Sequence, residues 1–325
     1  MKENILALLK NGKVVGYKPE KPKIISTLIS NIFIFIKNRK VIKVYKSDNL
    51  YWNKSFTDLS DLKKFDEFIN TDFKWNKYFN TDIYIQTASI DIGSSFISFK
   101  KPIKNSLQII EMNLIDKNDF LIEKLQSEEM FFVGDAWEVG KQFANLKTKF
   151  NMLEAKDNTT YNWYKNLKIR IDDMSLWLIN TEKIPEDIKN SAINFMVTYL
   201  EKNKKRLERT NEKDIVNSID AHAENATYIN NKLGFIDIYL PKKVWRYSLK
   251  ELDFFRIGLD ILVIKGQNFY NSYLQGVESV TTLDYSDLVF YNVYICSAMC
   301  CMQYSISKKT TTVADKYLHH LCKLL

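Results

Sequence analysis

The chain has 325 residues, of which 46% are hydrophobic, 14% are aromatic and 26% are charged, with a formal net charge of +8. This length suggests one large domain or two modest ones, with ample apolar material for a packed core. Nine glycines and five prolines exclude a collagen-like or low-complexity chain. No uncharged apolar stretch reaches the roughly 18 residues of a membrane span. The N-terminal residues also lack the apolar region of a secretory signal, so we expect a cytoplasmic protein.

The basic residues do not indicate a nucleic-acid-binding protein. Only six of the 47 basic residues are arginine, and lysine alternates with Asp and Glu along the whole chain. A nucleic-acid-binding protein usually clusters its basic residues and favours the guanidinium group of arginine. The cysteines at positions 296, 300, 301 and 322 contain no CxxC pair. We therefore expect buried free thiols rather than a zinc site.

The first 110 residues are predicted to be rich in β-strands. Short apolar runs bounded by polar turns predict two hairpins and a further strand, over residues 32–36 with 41–45, 83–90 with 95–99, and 107–112. Between the two hairpins, apolar residues recur at helical spacing and predict a helix over residues 60–79.

From residue 116 onward the pattern becomes helical. Helices are predicted over residues 120–125 and 137–150, from Pro185, from Ser248 toward Gly266, and near 285–305 and 307–323. Pro185 is expected in the first turn of its helix, and Ser248 with Glu251 is expected to form a capping box. One hairpin interrupts the helices, with strands over 226–229 and 233–239. We predict an α+β chain with a β-rich N-terminal lobe (1–110), a hinge (111–115) and a helical C-terminal lobe (116–325).

Three polar residues around the late hairpin suit phosphate chemistry. Asp220 and Asn225 are five residues apart just before the hairpin, and Asp237 follows it. Because a hairpin returns the chain to its starting point, we expect these side chains to lie close together. An amide oxygen and a carboxylate suit Mg²⁺, which takes a few hard oxygen ligands plus phosphate. A further carboxylate nearby can orient a hydroxyl and accept its proton, which phosphoryl transfer requires.

These residues resemble the aminoglycoside phosphotransferase/choline kinase-like family of the protein-kinase-like fold. The family's catalytic loop reads His-Gly-Asp-(four residues)-Asn, and residues 218–225 read Ser-Ile-Asp-(four residues)-Asn. Its metal-binding strand ends in apolar-Ile-Asp, and residues 235–237 read Phe-Ile-Asp. The resemblance implies a bilobal kinase-like fold, with ATP and Mg²⁺ as cofactors. It also implies that Asp220 is the catalytic base and that Asn225 and Asp237 are Mg²⁺ ligands.

The downstream residues Arg246 and Asp253 match an Arg and an Asp of a poorly characterised bacterial subgroup of this family. In the first half of the chain, the resemblance implies that Lys43, inside an apolar strand, is the phosphate-pairing lysine. Asp72 borders the apolar stripe of the early helix. A buried carboxylate is costly unless it is paired, so Asp72 is expected to pair with Lys43.

Other nucleotide contacts are also implied by the resemblance. Glu111, Met112 and Asn113 resemble the linker whose backbone reads adenine. The chain has no glycine-rich loop, as is common in this branch of the fold, and we expect the hydroxyl and backbone N–H groups of Thr27 and Ser30 to contact phosphate instead.

The same residues also have plainer interpretations. Asp220 and Asn225 are residue types that favour turns and caps, Lys43 could face solvent, and Asp72 could be an ordinary helix residue. The resemblance favours an ATP- and Mg²⁺-dependent phosphotransferase that acts on a hydroxyl of an unidentified small molecule or protein. The alternative is a nucleotide-binding pseudokinase that acts as a regulatory or partner-binding module. It is suggested by Ser218, where the family has His, and by Asp72, where the family usually has Glu.

Overall fold

The structure is a computed structural model that describes residues 2–27, 29–50, 53, 57–92, 96–104, 106–153, 162–210, 214–238, 246–306 and 311–325. The chain divides into two compact units. The first consists of Met1–Lys117 and Gly234–Lys242, and the second of Asn118–Leu233 and Lys243–Leu325. Within the described ranges, no helix combines the length and the apolar character needed to cross a membrane.

The first unit contains a six-stranded antiparallel sheet. Its strands are β1 (Lys23–Ser26), β2 (Ser30–Phe35), β3 (Lys40–Tyr45), β4 (Tyr84–Ile92), β5 (Ile97–Lys100) and β6 (Gln108–Asn113). They lie in the order β1-β2-β3-β6-β4-β5, so both predicted hairpins and the further strand are confirmed. The predicted start of the fifth strand, at position 95, lies outside the described residues. Strand β1 was not predicted, because all of its residues are exposed and show no apolar alternation.

Two helices complete this unit, α1 (Lys2–Lys10) and α2 (Leu62–Phe79). Helix α2 was predicted within two residues at its start, and Asp61 caps it by accepting the backbone N–H of Lys63 at 2.9 Å. Its apolar face packs on β4 and β6. Helix α1 was not predicted, and its residues Ile5 and Leu9 enter the core on the sheet.

The second unit is mainly helical. Its helices are α3 (Leu121–Gln126), α4 (Val133–Leu153), α5 (Trp163–Asn180), α6 (Glu186–Lys202), α7 (Lys204–Glu208), α8 (Lys250–Lys265), α9 (Gln267–Glu278), α10 (Leu288–Ile306) and α11 (Thr311–Leu324). Helices α4 and α9 approach closely because each has a glycine at the crossing. A Cβ atom added to Gly140 would lie 2.1 Å from the backbone oxygen of Tyr273, and one added to Gly276 would lie 2.0 Å from that of Trp137.

Two details of the predicted helix starts were wrong. Pro185 has φ −57° and ψ 143° and is the N-cap of α6, so it lies one residue before the first turn. Ser248 belongs to strand β10 (Tyr247–Leu249), and α8 begins after Leu249 without a side-chain cap. Strand pairing of the short β10 segment therefore overrides the local capping signal.

The short strands of the late part of the chain frame the predicted catalytic loop. Strand β7 (Ile215–Asn217) pairs with β10, and β8 (Ala226–Ile229) pairs with β9 (Lys232–Phe235). Asn230 and Asn231 both have positive φ angles, 50° and 61°, which is the requirement of a two-residue type I′ turn. The turn is one residue shorter than predicted, and β9 ends at Phe235, before Asp237. Position 239, the predicted end of this strand, lies outside the described residues.

Candidate functional site

Four of the predicted site residues lie in two groups of bonded polar side chains, one group in each unit: Lys43, Asp72 and Asp237 in the first, and Asp220 in the second. We call the group in the first unit the lysine cluster; it consists of Lys43, Tyr45, Asp72, Asn76, Tyr84 and Asp237. We call the group in the second unit the loop cluster; it consists of Lys147, Ser218, Asp220, Asp253, Arg256 and Asp260.

Lys43 is buried in the centre of the sheet. Strand β3 has neighbours on both sides, and the Lys43 side chain is only 7% exposed. Its ammonium lies 2.5 Å from Oδ1 of Asp237 and 4.8 Å from the centre of the Tyr45 ring. Burial alone would lower the pKa of Lys43, but the Asp237 and Asp72 carboxylates outweigh it, so this pKa is raised. The lysine is therefore charged and does not face open solvent.

Asp72 is buried in α2, and neutral groups hold it. The Tyr45 hydroxyl donates to Oδ2 at 2.8 Å, and the Asn76 amide donates to Oδ1 at 3.1 Å. Burial raises the pKa of Asp72 to about 6, although Lys43 opposes the shift. The expected partnership with Lys43 is thus an electrostatic interaction, while the direct ion pair of Lys43 is with Asp237.

Asp237 adopts an unusual backbone conformation. Its φ angle is 57°, in the left-handed region that costs energy for residues other than glycine. Its backbone N–H donates to the Tyr84 hydroxyl at 3.2 Å. The next residue, Ile238, is bound through both of its backbone groups by the Asn76 side chain. The Asp237 side chain is 47% exposed, so a carboxylate oxygen remains accessible to a ligand.

Thr27 and Ser30 lie at the turn between β1 and β2. Their hydroxyl oxygens are 2.9 Å apart, and the Thr27 hydroxyl also accepts the Ser30 backbone N–H at 3.0 Å. Lys46 donates to the Thr27 carbonyl at 2.5 Å. The two hydroxyls are therefore engaged with each other, and the ammonium of Lys46 lies against the same turn.

Glu111, Met112 and Asn113 lie at the end of β6, which has neighbours on both sides. The Glu111 carboxylate accepts hydrogen bonds from Tyr17 at 2.8 Å and from Gln86 at 2.6 Å. Sheet pairing places Met112 between β3 and β4. The linker predicted for these three residues thus begins inside the sheet, and the chain leaves β6 after Asn113.

In the second unit, Asp220 makes an ion pair with an arginine. Its Oδ1 lies 2.8 Å from Nη2 of Arg256, and its Oδ2 lies 3.7 Å from Nε2 of His222. Burial would raise the pKa of Asp220, but Arg256 and His222 outweigh it and hold this pKa below its ordinary value. The side chain keeps 34% exposure, so the ionised carboxylate can still meet a ligand.

Asn225 closes the loop that begins at Asp220. Its backbone N–H donates to the His222 carbonyl at 2.9 Å, and its amide group lies 3.4 Å from the Asp220 carbonyl. This contact uses the nitrogen of the Asn225 amide group and not its oxygen. Strand β8 starts at the next residue, so the turn and the sheet together fix Asn225.

Helix α8 holds the backbone of this loop through acidic residues on one face. Asp253 accepts the Ser218 hydroxyl at 2.9 Å and the Ile219 backbone N–H at 3.2 Å. Asp260, seven residues later and two turns along the helix, accepts the backbone N–H of Ala223 at 2.6 Å. Arg256 lies between them on the same face.

Lys147 and Tyr317 complete this arrangement, and neither was predicted from the sequence. Lys147 is fully buried in α4, forms an ion pair with Asp253 and donates to the Asn217 carbonyl. Tyr317 donates its hydroxyl to Asp260. A signal for Lys147 existed, because it lies on the apolar stripe of α4 that includes Phe143 and Phe150. A charged residue on a buried stripe indicates an ion pair.

Comparisons with known proteins confirm the predicted fold. No protein-family model matches the sequence, and no curated protein matches it. The structure is similar to that of an amicoumacin kinase in complex with AMP-PNP and Ca²⁺, with a TM-score of 0.54, 13% identity, and coverage of 99% of this chain and 95% of that chain. It is also similar to a glucosamine kinase in complex with glucosamine and ADP (TM-score 0.52, 10% identity, 96% and 78% covered).

A third similar structure is an aminoglycoside phosphotransferase from Streptomyces rimosus in complex with ADP and streptomycin. Its TM-score is 0.51 at 11% identity, with 91% of this chain and 97% of that chain covered. At such low identities the likeness shows the fold, which is the protein-kinase-like fold with an antiparallel sheet in one unit and a helical second unit.

Proposed function

We propose that this chain is an ATP- and Mg²⁺-dependent phosphotransferase that transfers the γ-phosphate to a hydroxyl of a small molecule or a protein. One observation carries the proposal: the buried ammonium of Lys43 is paired with the half-exposed carboxylate of Asp237. In a kinase-like fold, an ammonium suits the phosphates of ATP and an accessible carboxylate suits the metal that accompanies them.

In the lysine cluster, Lys43 would bind the α- and β-phosphates, and the Asp72 carboxylate would keep it charged. Thr27 and Ser30 would contact phosphate at the turn between β1 and β2. A phosphate there would replace bonds within the turn, because both hydroxyls and both backbone N–H groups of these residues are bonded to each other. The adenine would be read where the chain leaves β6, from Glu111, Met112 and Asn113 onward.

We include a magnesium ion in this proposal, because the chain offers oxygen ligands of the kind that this ion takes. Mg²⁺ typically takes one or two protein oxygens together with phosphate oxygens and water. Asp237 and the amide oxygen of Asn225 offer such oxygens. When bound, Mg²⁺ would neutralise phosphate charge.

Asp220 would orient the acceptor hydroxyl. The acceptor oxygen bonds to the γ-phosphorus, the bond from that phosphorus to the bridging oxygen breaks, and the hydroxyl proton passes to Asp220, leaving ADP. Because Arg256 holds the pKa of Asp220 low, this carboxylate is a weak base. Its main contribution is therefore positioning, as is usual in phosphoryl transfer.

The first test is turnover of Mg-ATP by the purified protein, alone and with amino-sugar, aminocyclitol and choline acceptors. We expect ADP formation that Asp220→Asn reduces by about 10²-fold or more and that Lys43→Met also lowers. Asp172→Asn is the matched control, since Asp172 is an exposed carboxylate paired with Lys168 in the same unit. If neither binding nor turnover of ATP is detected with Mg²⁺, the proposal fails.

The second candidate is the pseudokinase, and the ion pair of Asp220 with Arg256 favours it, because this pair competes with an acceptor hydroxyl for the carboxylate. Its signature is thermal stabilisation by Mg-ATP without turnover, unchanged in Asp220→Asn. Detection of phosphate on any acceptor would exclude it.

We also propose that the protein works in the cytoplasm. All four cysteines are free, and three of them are buried, which suits a reducing compartment.

A further inference from the structure

We propose that Asn76 is the positioning residue that fixes Asp237 for binding a divalent cation with a nucleotide. This inference deepens the proposed function and rests on it. It assigns a role to a side chain of α2 that does not touch the ligand itself.

Asn76 is fully buried, and its carboxamide is saturated with hydrogen bonds. Its Oδ1 accepts the backbone N–H of Ile238 at 2.8 Å, and its Nδ2 donates to the backbone carbonyl of the same residue at 2.6 Å. A carboxamide has a separate donor and acceptor atom, so it can bind the N–H and the C=O of one residue at the same time. An apolar residue would leave both backbone groups of Ile238 buried without partners.

The residue that Asn76 binds, Ile238, directly follows a residue with a strained backbone. Asp237 has a positive φ angle, and such a conformation persists only where its surroundings impose it. Three contacts impose it: Asn76 binds Ile238, the Tyr84 hydroxyl accepts the Asp237 N–H, and Lys43 binds the Asp237 carboxylate. A ligand that draws Lys43 toward phosphate removes the third contact. The hold by Asn76 and Tyr84 would then keep the carboxylate in place.

Asn76 also joins Asp237 to the rest of the lysine cluster. Its Nδ2 lies 3.1 Å from Oδ1 of Asp72, four residues earlier in α2. Asp72 accepts the hydroxyl of Tyr45, which is two residues from Lys43 on β3. The contacts therefore form a closed ring from Lys43 through β3, α2 and Ile238 back to Asp237. Among the described residues of this ring, only Asn76 forms hydrogen bonds with the backbone of Ile238, the residue after Asp237.

The test separates metal binding from nucleotide binding. Affinity for Mn²⁺ would be measured by water-proton relaxation at saturating AMP-PNP, and affinity for AMP-PNP would be measured separately in EDTA. We expect Asn76→Leu to weaken Mn²⁺ binding by about 10- to 100-fold, the usual effect of losing a residue that orients a metal ligand. The affinity for AMP-PNP without metal should change by less than about threefold. Asn76→Ser makes the same comparison with a smaller side chain if Asn76→Leu does not fold.

Gln108→Leu is the matched control. Gln108 is a buried amide on β6 that donates to Asp66 of α2, the helix that contains Asn76, at 2.7 Å. The Gln108→Leu protein should lose stability without losing affinity for Mn²⁺. If the Asn76 variants bind Mn²⁺ as tightly as Gln108→Leu while Asp237→Asn does not bind it, the inference is overturned and the proposed function stands. If the wild-type protein binds neither AMP-PNP nor Mn²⁺ with AMP-PNP, the proposed function fails and the inference fails with it.

Discussion

Lys43 and Lys147 are both buried ammonium groups paired with an aspartate, yet their surroundings differ. Lys43 faces two carboxylates, and the one it binds, Asp237, is half exposed. Lys147 is 1% exposed and its partner Asp253 is 3% exposed, so this ion pair is shielded from water. The pKa of Lys43 is raised by its carboxylates, whereas burial lowers the pKa of Lys147 despite Asp253.

The difference separates a charge that can serve a ligand from one that serves the scaffold. The lysine cluster has one ammonium for two carboxylates, and neutral hydroxyl and amide groups hold it in place, which suits the proposed binding of a cation together with phosphate. In the loop cluster, the buried carboxylate of Asp253 has Lys147 as its cationic partner. These two charges neutralise each other and hold the backbone at Ile219 and Asn217.

The largest expected effect is on the unfolding free energy, when the buried ion pair of Lys147 and Asp253 is lost. Lys147→Met leaves the Asp253 carboxylate buried without its cation, which typically costs about 3–5 kcal/mol of unfolding free energy. Lys43→Met should cost less, about 1–2 kcal/mol, because the half-exposed Asp237 can be solvated by water. Urea denaturation of both variants measures the difference.

The double variant Lys147→Met/Asp253→Leu checks the cause of that loss. Replacing both members of a buried pair with apolar residues should recover part of the stability. If Lys43→Met is at least as destabilising as Lys147→Met, the buried Lys147–Asp253 pair does not have the larger structural role.

A second effect comes from Asp72 and depends on pH. Its pKa is raised in the folded protein from 3.8 to about 6, so the folded state binds more protons than the unfolded state between these values. Stability therefore falls as pH rises through this window, by on the order of 3 kcal/mol for this carboxyl. Asp72→Asn should remove the fall, which makes the variant relatively more stable at pH 7 than at pH 4.

Urea denaturation gives the unfolding free energy of the wild-type protein and of Asp72→Asn at pH 4 and at pH 7. The result is the change between the two pH values in the variant minus the same change in the wild-type protein. Asp66→Asn is the control, since Asp66 is also buried in α2. An equal change for Asp72→Asn at pH 4 and pH 7 would contradict the assignment.

The sequence predicted the parts of the fold whose side-chain pattern is local. The β2–β3 and β4–β5 hairpins, β6 and α2 all show clear apolar periodicity. Strand β1 shows none, because all four of its residues are exposed. The capping signal at Ser248 was local as well, and it was overridden by pairing of β10 with β7.

For the site, the resemblance supplied the residues that could face a ligand, and the structure supplied the residues that hold them. Asn76 and Arg256 act on residues more than 30 positions away, Ile238 and Asp220. Such contacts depend on the packing of α2 and α8, which the sequence pattern does not specify. The sequence pattern could still have identified some of them. Polar residues on the apolar faces of these helices, such as Asn76 and Asp260, indicate buried hydrogen bonds.

An intermediate effect is expected from Arg256, and it depends on the proposed function. Arg256→Gln removes the cation that holds the pKa of Asp220 low, so the pKa of Asp220 should rise and the acidic limb of the pH profile of kcat/KM should move to higher pH. A loss of roughly 10- to 100-fold in kcat/KM is expected from the looser carboxylate. Arg209→Gln removes an exposed arginine of the same unit as the control. An unmoved acidic limb would show that Arg256 does not govern the ionisation of Asp220.

The smallest effect tests whether Ser218, at the position of the family's His, belongs to the scaffold. Its hydroxyl donates to Asp253 at 2.9 Å, while Lys147 and the Ile219 N–H also bind Asp253. Ser218→Ala removes one of three contacts, so we expect a loss of about 1 kcal/mol in unfolding free energy and turnover within about threefold of the wild-type protein. Ser175→Ala, which removes a hydroxyl bonded to the Ile171 carbonyl, is the control. A loss of turnover of 10²-fold with little change in stability would instead place Ser218 in the reaction.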